Sequence, residues 1–145
     1  MAFKTTKASP RQAVIPGAIW QLREPDIAQV EQLNTKFAHF AIECNSHARE
    51  AYKIQTGEDG ICLPDPVAMC LALDPTVGTA WSEHHVDVET QSELTRGMTV
   101  VDRLNVAEDE RNRTVWAPAL KGLKAKVCWR IDINRWKAAL YAALR

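Results

Sequence analysis

The chain has 145 residues, and its eighteen basic and eighteen acidic side chains give a formal net charge of zero at pH 7. Without a net charge there is little to attract nucleic acid or anionic lipid, so neither is expected as a partner. No apolar run is long enough to span a membrane, and no apolar segment follows the polar N-terminus. We therefore predict no membrane insertion, no secretion and a cytoplasmic location.

The cysteines give no sign of a disulfide framework or a metal site. They lie in apolar sequence contexts without C-x-x-C spacing or a zinc pattern with the histidines. We predict reduced core thiols at all four positions, which are Cys44, Cys62, Cys70 and Cys128.

The first elements along the chain are short. Residues 1–13 are polar and predict a loose N-terminal arm, and residues 14–145 are predicted to form one partial domain. The stretch "AVIPGAIW" indicates a short buried strand that proline and glycine interrupt. From Pro25 onward, apolar residues three apart predict a short amphipathic helix, and these residues are Ile27, Val30 and Leu33.

A long helix is predicted over residues 35–57. Gly57 is expected to end it in a left-handed conformation. The prediction depends on apolar side chains at helical spacing, namely Phe37, Phe40, Ala41, Cys44, Ala48, Ala51 and Tyr52.

The stretch "GEDGICLPDPVAMCLALDP" places Asp65 between two prolines. One interpretation makes Asp65 the N-cap of a helix in which Pro66 is the first residue and which ends before the Asp-Pro pair at 74–75. Another is that an acidic side chain at a helix N-terminus, after a glycine-rich loop, holds a cation or a sugar. The two roles are compatible in one carboxylate.

The chain then becomes β-rich. "HVDVET" and "MTVVD" predict a hairpin in which Gly97 takes a positive-φ turn position. A solvated hairpin face is preferred for His84 and His85, although a strand would align His85, Asp87 and Glu89 as metal ligands.

The remaining segments are a loop, a strand and a helix. Residues 103–122 are polar and predict a long loop or insertion. Apolar residues then alternate with polar ones over 123–133, which predicts a strand with one buried face. A closing helix is predicted from its apolar stripe, formed by Ile133, Trp136, Leu140 and Leu144.

Three segments together resemble a known family. "TGEDGICLPDPVAMCLALDP", "HVDVETQSELTRGMTVVDRL" and "KVCWRIDINRWKAAL" are similar, in order, to the C-terminal part of the inosine/uridine-preferring nucleoside hydrolases. The resemblance covers roughly residues 25–104 and 124–141. It implies an α/β fold, here its C-terminal portion of helices, a hairpin and a late strand, with most of the parallel sheet missing. It also implies Ca²⁺-assisted hydrolysis of the N-glycosidic bond of ribonucleosides.

The resemblance assigns roles to individual residues. Asp65 matches a late Ca²⁺ ligand of the family, and Tyr52 and Thr56 match positions that contact the base. Pro64 stands where the family often has a histidine that protonates the leaving base. The N-terminal D-x-D-x-G-x-D-D loop that supplies the other calcium ligands does not occur in the sequence.

Two functions follow as expectations. The first is a truncated nucleoside hydrolase homologue that is not competent alone and binds a ribonucleoside only if the missing half is supplied. The alternative is a non-catalytic interaction or regulatory module that pairs with a full-length relative through exposed apolar faces. Homo- and hetero-oligomers are both compatible with these expectations.

Overall fold

The computed structural model describes residues 12–14, 21–117 and 124–145, which form a mixed α/β arrangement. The strands are β1 Gln12–Val14, β2 Gln21–Arg23, β3 Gly60–Cys62, β4 Gly78–His84, β5 Val86–Val88, β6 Thr99–Val101 and β7 Ala125–Ile131. The helices are α1 Glu24–Gln32, α2 Lys36–Cys44, α3 Ser46–Thr56, α4 Pro64–Leu73 and α5 Ile133–Ala143. None of the described helices is long and apolar enough to cross a membrane.

The chain divides into two compact units. The first unit comprises the described parts of residues 1–15 and 80–129, and the second those of residues 16–79 and 130–145. The arm predicted over residues 1–13 lies outside the described residues, except for its last two residues, which belong to β1.

The second unit is mainly helical, and its first and last helices bury part of the predicted apolar stripes, although Ile133 is exposed. Ile27 and Val30 of α1 are buried, as is Trp136 of α5. Asp132 caps α5 by accepting a hydrogen bond from the Arg135 backbone N–H at 3.0 Å. The sequence prediction of both helices is confirmed.

The single helix predicted over residues 35–57 is wrong, because the chain breaks at Asn45 into α2 and α3. Asn45 leaves helical geometry, at φ −97° and ψ 2°. Its side-chain amide donates to the Ala41 carbonyl at 2.8 Å, a local bond that competes with the helical backbone ladder. Apolar periodicity continued across the break and therefore concealed it.

A polar cluster joins α1 to α5 within the second unit. The Asp26 carboxylate accepts hydrogen bonds from the Lys137 ammonium at 2.6 and 2.7 Å and from the Tyr141 hydroxyl at 3.1 Å. Burial alone would raise the pKa of Asp26, but the bonds from Lys137, the Arg23 backbone and Tyr141 outweigh it and lower that pKa. The cluster ties two helices that are more than a hundred residues apart in sequence.

The first unit contains the predicted hairpin. Strands β5 and β6 pair antiparallel with Val86 opposite Val101, and Gly97 has φ 87° in the connection. Beyond the hairpin, the buried Asp102 carboxylate accepts bonds from the Val106 and Ala107 backbone N–H groups, each at 2.9 Å. Of the loop predicted over 103–122, residues 118–122 lie outside the described part.

The late strand β7 is the centre of a three-stranded sheet ordered β1–β7–β4, and it pairs with β1 in parallel. The prediction of one buried face is wrong, because Cys128 is as buried as Val127 on the opposite face. A central strand is covered on both faces more often than an outer one, which the alternation alone did not indicate.

Two of the four cysteines contradict the prediction of core thiols. Cys44 and Cys62 are exposed, Cys70 is half-buried and Cys128 is buried, and none of the four forms a disulfide. Cys44 lies at the end of a short helix and Cys62 at the end of a short strand. Apolar neighbours in the sequence therefore did not predict whether these side chains are buried.

Candidate functional site

Asp65 lies in the first turn of α4 and is not its N-cap. Leu63 is the N-cap residue, Pro64 is the first helical residue and Asp65 is the second. The interpretation of Asp65 as N-cap, with Pro66 opening the helix, is therefore wrong by two positions.

The two prolines explain why the helix begins at Pro64. The first four backbone N–H groups of a helix have no partner within it, and here two of those four positions are prolines, which carry no N–H. The first intrahelical bond runs from the Val67 N–H to the Leu63 carbonyl at 3.3 Å. The sequence thus starts a helix with only two unpaired donors.

This start leaves the Asp65 carboxylate exposed at the positive end of the helix. No hydrogen bond or ion pair joins it to another residue of the described part of the chain. Within that part, no group of three or more His, Cys, Asp or Glu side chains is placed to hold a metal ion. Because Ca²⁺ takes about six to eight oxygen ligands, the described residues do not fit a calcium ion by themselves.

The segment that leads to Asp65 is β3, which pairs antiparallel with β2. Gly60 opens β3 and is buried. A Cβ atom at Gly60 would approach the Leu22 carbonyl oxygen to 3.2 Å. The Tyr52 ring would be 4.0 Å from the same position, so α3, β2 and β3 meet closely around this glycine.

Tyr52, a predicted base contact, belongs to a polar network on α3. Its hydroxyl accepts a 2.6 Å bond from the Gln21 side-chain amide and lies 3.5 Å from the Glu58 carboxylate. Arg23 forms an exposed ion pair with Glu58 at 3.3 Å. The sequence analysis named Tyr52 as a candidate but did not predict its contacts with Gln21, 31 residues away, or with Glu58, six residues away.

Thr56, the second predicted base contact, lies at the end of α3. Its hydroxyl donates to the Tyr52 carbonyl at 2.8 Å and accepts from the Glu58 N–H at 3.1 Å. Gly57 follows in the predicted left-handed conformation, with φ 73°. In this structure the Thr56 hydroxyl therefore forms hydrogen bonds with backbone groups at the C-terminus of α3.

An ion pair that the sequence did not predict fixes the loop between α3 and β3. The Arg49 guanidinium donates to both carboxylate oxygens of Asp59, at 2.6 and 3.0 Å. The bonds from Arg49 lower the pKa of Asp59, and Lys53 adds a weaker contact at 3.7 Å. This clamp holds the residue next to Gly60 against α3.

His84 and His85 lie in the first unit, where β4 leads into the hairpin strand β5. His84 joins the Ser82 hydroxyl and the Asp102 carbonyl, each at 2.8 Å, and its ring meets Trp129 edge to face. His85 is buried and its Nδ1 has no partner in the described part of the chain. The solvated face predicted for this pair is wrong for His85, which is buried, whereas His84 is half-buried and uses both ring nitrogens in hydrogen bonds.

Comparison with known proteins matches most of the chain to one family. The family model described as inosine-uridine preferring nucleoside hydrolase matches residues 4–137. The inosine-uridine preferring nucleoside hydrolase of Crithidia fasciculata is 31% identical over 81 residues, which are 56% of this chain and 25% of that protein.

Solved structures show the same fold. A plant nucleoside hydrolase matches with a TM-score of 0.70 at 20% identity, over 90% of this chain and 40% of its own. A purine-preferring ribonucleoside hydrolase from Gardnerella vaginalis matches with a TM-score of 0.61 at 22% identity, over 94% of this chain and 40% of its own. This chain thus spans a quarter of the curated relative and two fifths of these solved structures.

Proposed function

The chain belongs to the inosine-uridine preferring nucleoside hydrolase family, and from this membership we propose that it contributes one part of a site that hydrolyses the N-glycosidic bond of ribonucleosides. The observation that carries the proposal is the Asp65 carboxylate. It is exposed at the N-terminus of α4 and has no partner among the described residues. A carboxylate in this position is available to a cation or to a sugar hydroxyl.

The proposal includes a limit on what these 145 residues do alone. Asp65 is a single carboxylate, and the described residues form no cluster that fits Ca²⁺. Pro64 has no proton to donate to a leaving base. We therefore assign the chain no turnover of its own, and we expect turnover only when further oxygen ligands are supplied.

Tyr52 is the better candidate of the two predicted base contacts. The Thr56 hydroxyl already donates one hydrogen bond and accepts another at the end of α3, so its only O–H is committed there. Tyr52 is half-buried against Gly60, and its hydroxyl is part of a side-chain network with Gln21 and Glu58 that a polar base edge can enter by exchanging partners.

A non-catalytic interaction module remains the second candidate function. It is favoured by large apolar side chains at the surface of α2, where Phe37 is 52% and Phe40 is 69% exposed. Contiguous apolar patches on a protein surface often mark sites of interaction with another protein.

A chimera tests the catalytic proposal. The matched 40% of the plant relative is replaced by this chain, and Ca²⁺ affinity is measured alongside the release of ribose from inosine and uridine. Asp65→Ala is expected to lower Ca²⁺ affinity at least tenfold and to abolish ribose release. Asp65→Asn should lose most of the metal affinity as well, because it removes the charge while keeping the shape.

The matched control is Glu43→Gln, which neutralises another exposed acid, on α2. It should change neither Ca²⁺ affinity nor turnover. An active chimera that binds Ca²⁺ equally well with and without the Asp65 carboxylate would refute the role given to this residue.

A further inference from the structure

An apolar groove crosses the second unit between α2, α5 and the β2–β3 pair. Its volume is about 310 Å³. The larger apolar side chains in its lining include Leu22, Phe37, Phe40, Leu63, Leu140 and Leu144. A bond from the Thr35 hydroxyl to the Leu144 carbonyl joins the start of α2 to the end of α5 and so fixes the two sides of the groove.

The lining of the groove does not suit a nucleoside. Its polar members are Cys44 and Asn45, and the Asn45 amide already donates to the Ala41 carbonyl at 2.8 Å. A sugar and a base need several convergent hydrogen-bonding groups, which small-molecule sites supply even when most of their lining is apolar. The groove therefore favours an occupant that presents apolar side chains.

The exposed aromatic rings give the groove the character of a protein interface. Phe37 and Phe40 lie on one side of α2 and are more than half exposed. Aromatic side chains that fill a pocket on a partner are typical anchors of interfaces, whereas they are costly in contact with water. The described residues leave both aromatic side chains uncovered over more than half of their surface.

We propose that the groove docks the part of a nucleoside hydrolase domain that this chain does not cover in its solved relatives. The inference rests on the proposed function, since it takes the occupant from the same family. The plant relative contains the fold of this chain within 40% of its own length, at a TM-score of 0.70. Elements of one domain share a contiguous core, so the other 60% must bury apolar faces of the matched part. The groove presents such a face.

The test measures binding between two separate polypeptides. The purified 145-residue chain is mixed with the uncovered part of the plant relative, either refolded together or co-expressed, and the mass of the product is measured by light scattering after gel filtration. A one-to-one complex is expected. Phe40→Lys should weaken it at least tenfold, whereas Ile54→Lys should not, because Ile54 is 78% exposed on α3 and lies outside the groove lining.

Two native thiols give a second measurement that needs no substitution. Cys44 lines the groove and Cys62 does not, and both are exposed. Saturating partner should slow the alkylation of Cys44 at least tenfold and leave the rate at Cys62 within twofold. Mass spectrometry of the labelled peptides reports both rates in one sample.

Three results would overturn the proposal. The first is the absence of a complex. The second is a complex in which Cys44 is alkylated as fast as in the free chain. The third is a dimer of the chain alone in which Cys44 is already protected, which would assign the groove to a second copy. Because none of these readouts uses turnover, a complex without hydrolysis would count against the proposed function and leave the docking surface standing.

Discussion

Asp59 and Asp65 are only six residues apart in sequence, but they differ in their interactions with the rest of the chain. Asp59 receives two bonds from Arg49, and both side chains are less than one third exposed. Asp65 has no partner among the described residues and contributes mainly through the helix dipole, which is worth about 0.3–1 kcal/mol at a surface. One residue holds the loop, and the other is free for a ligand.

We predict that Asp59→Asn lowers the free energy of unfolding by more than Asp65→Asn does, since it weakens the two charged hydrogen bonds from Arg49. Asp65→Asn is expected to cost less than about 1 kcal/mol. Urea denaturation followed by circular dichroism measures both. Equal effects of the two substitutions would mean that the Arg49 clamp does not stabilise the loop.

Asp26 gives a prediction about pH. Its pKa is below the ordinary 3.8, so its contribution to stability is present above the unfolded pKa and is lost as the pH falls through the folded one. The stability advantage of the wild-type chain over Asp26→Asn should therefore shrink between about pH 5 and pH 2. Urea denaturation of both proteins across this range provides the measurement, and a constant difference would contradict the account.

Tyr141 extends the prediction to alkaline pH. Burial and the nearby Asp26 raise its pKa to about 12, so its contribution to stability is fully present below the ordinary value near 10 and is lost as the pH rises through about 12. A spectrophotometric titration should show one of the two tyrosines ionising late. That late phase should be absent from Tyr141→Phe.

Among the elements, the junction of α3 with β3 depends most clearly on one residue. Gly57 has φ 73°, and nothing lies within 4 Å of a Cβ atom built there. Gly57→Ala is therefore expected to cost about 1–2 kcal/mol from backbone conformation alone, without a steric clash.

Gly57→Asn should cost less, since asparagine tolerates this conformation better than alanine. Urea denaturation of the two variants distinguishes them. If Gly57→Ala did not lower the free energy of unfolding, the left-handed conformation at residue 57 would not be needed to connect α3 to β3.

The elements also show how far the sequence determines this structure. Periodicity located α1 and α5, because each buries part of one apolar stripe, and the two β-rich runs on either side of Gly97 located the hairpin. It missed the break at Asn45, which depends on a single side-chain bond to Ala41, and it misplaced the start of α4 by two residues. Local pattern reports which face of an element is apolar, and it does not report where a polar side chain interrupts the backbone.

The candidate site was only partly predictable for the same reason. Asp65 and Tyr52 were named as candidates through the family resemblance. Gln21 and Arg49 were not, because their contacts join segments whose proximity is created by folding. The spacing of Arg49 and Asp59 also did not predict their ion pair, since ten residues and the turn at Gly57 separate them.

For the molecule as a whole, the exposed apolar surface predicts that the purified chain self-associates in solution. Phe37 and Phe40 are open to solvent in the groove, and among the described strands β5 and β6 pair only with each other. We expect the purified chain to associate without a defined stoichiometry at tens of micromolar, and Phe40→Lys to reduce that association. A sharp, reversible and concentration-independent melt of a monomer would contradict this expectation.

The most direct test of the account is an assay of the purified 145-residue chain with inosine, uridine and cytidine in the presence of Ca²⁺, with free base and ribose followed over time. The account predicts no turnover above the protein-free control, because Asp65 alone cannot provide the about six to eight oxygen ligands that the cation requires. Turnover that scales with protein concentration, survives repurification and disappears in Asp65→Ala would show that this chain completes the site with residues other than those identified.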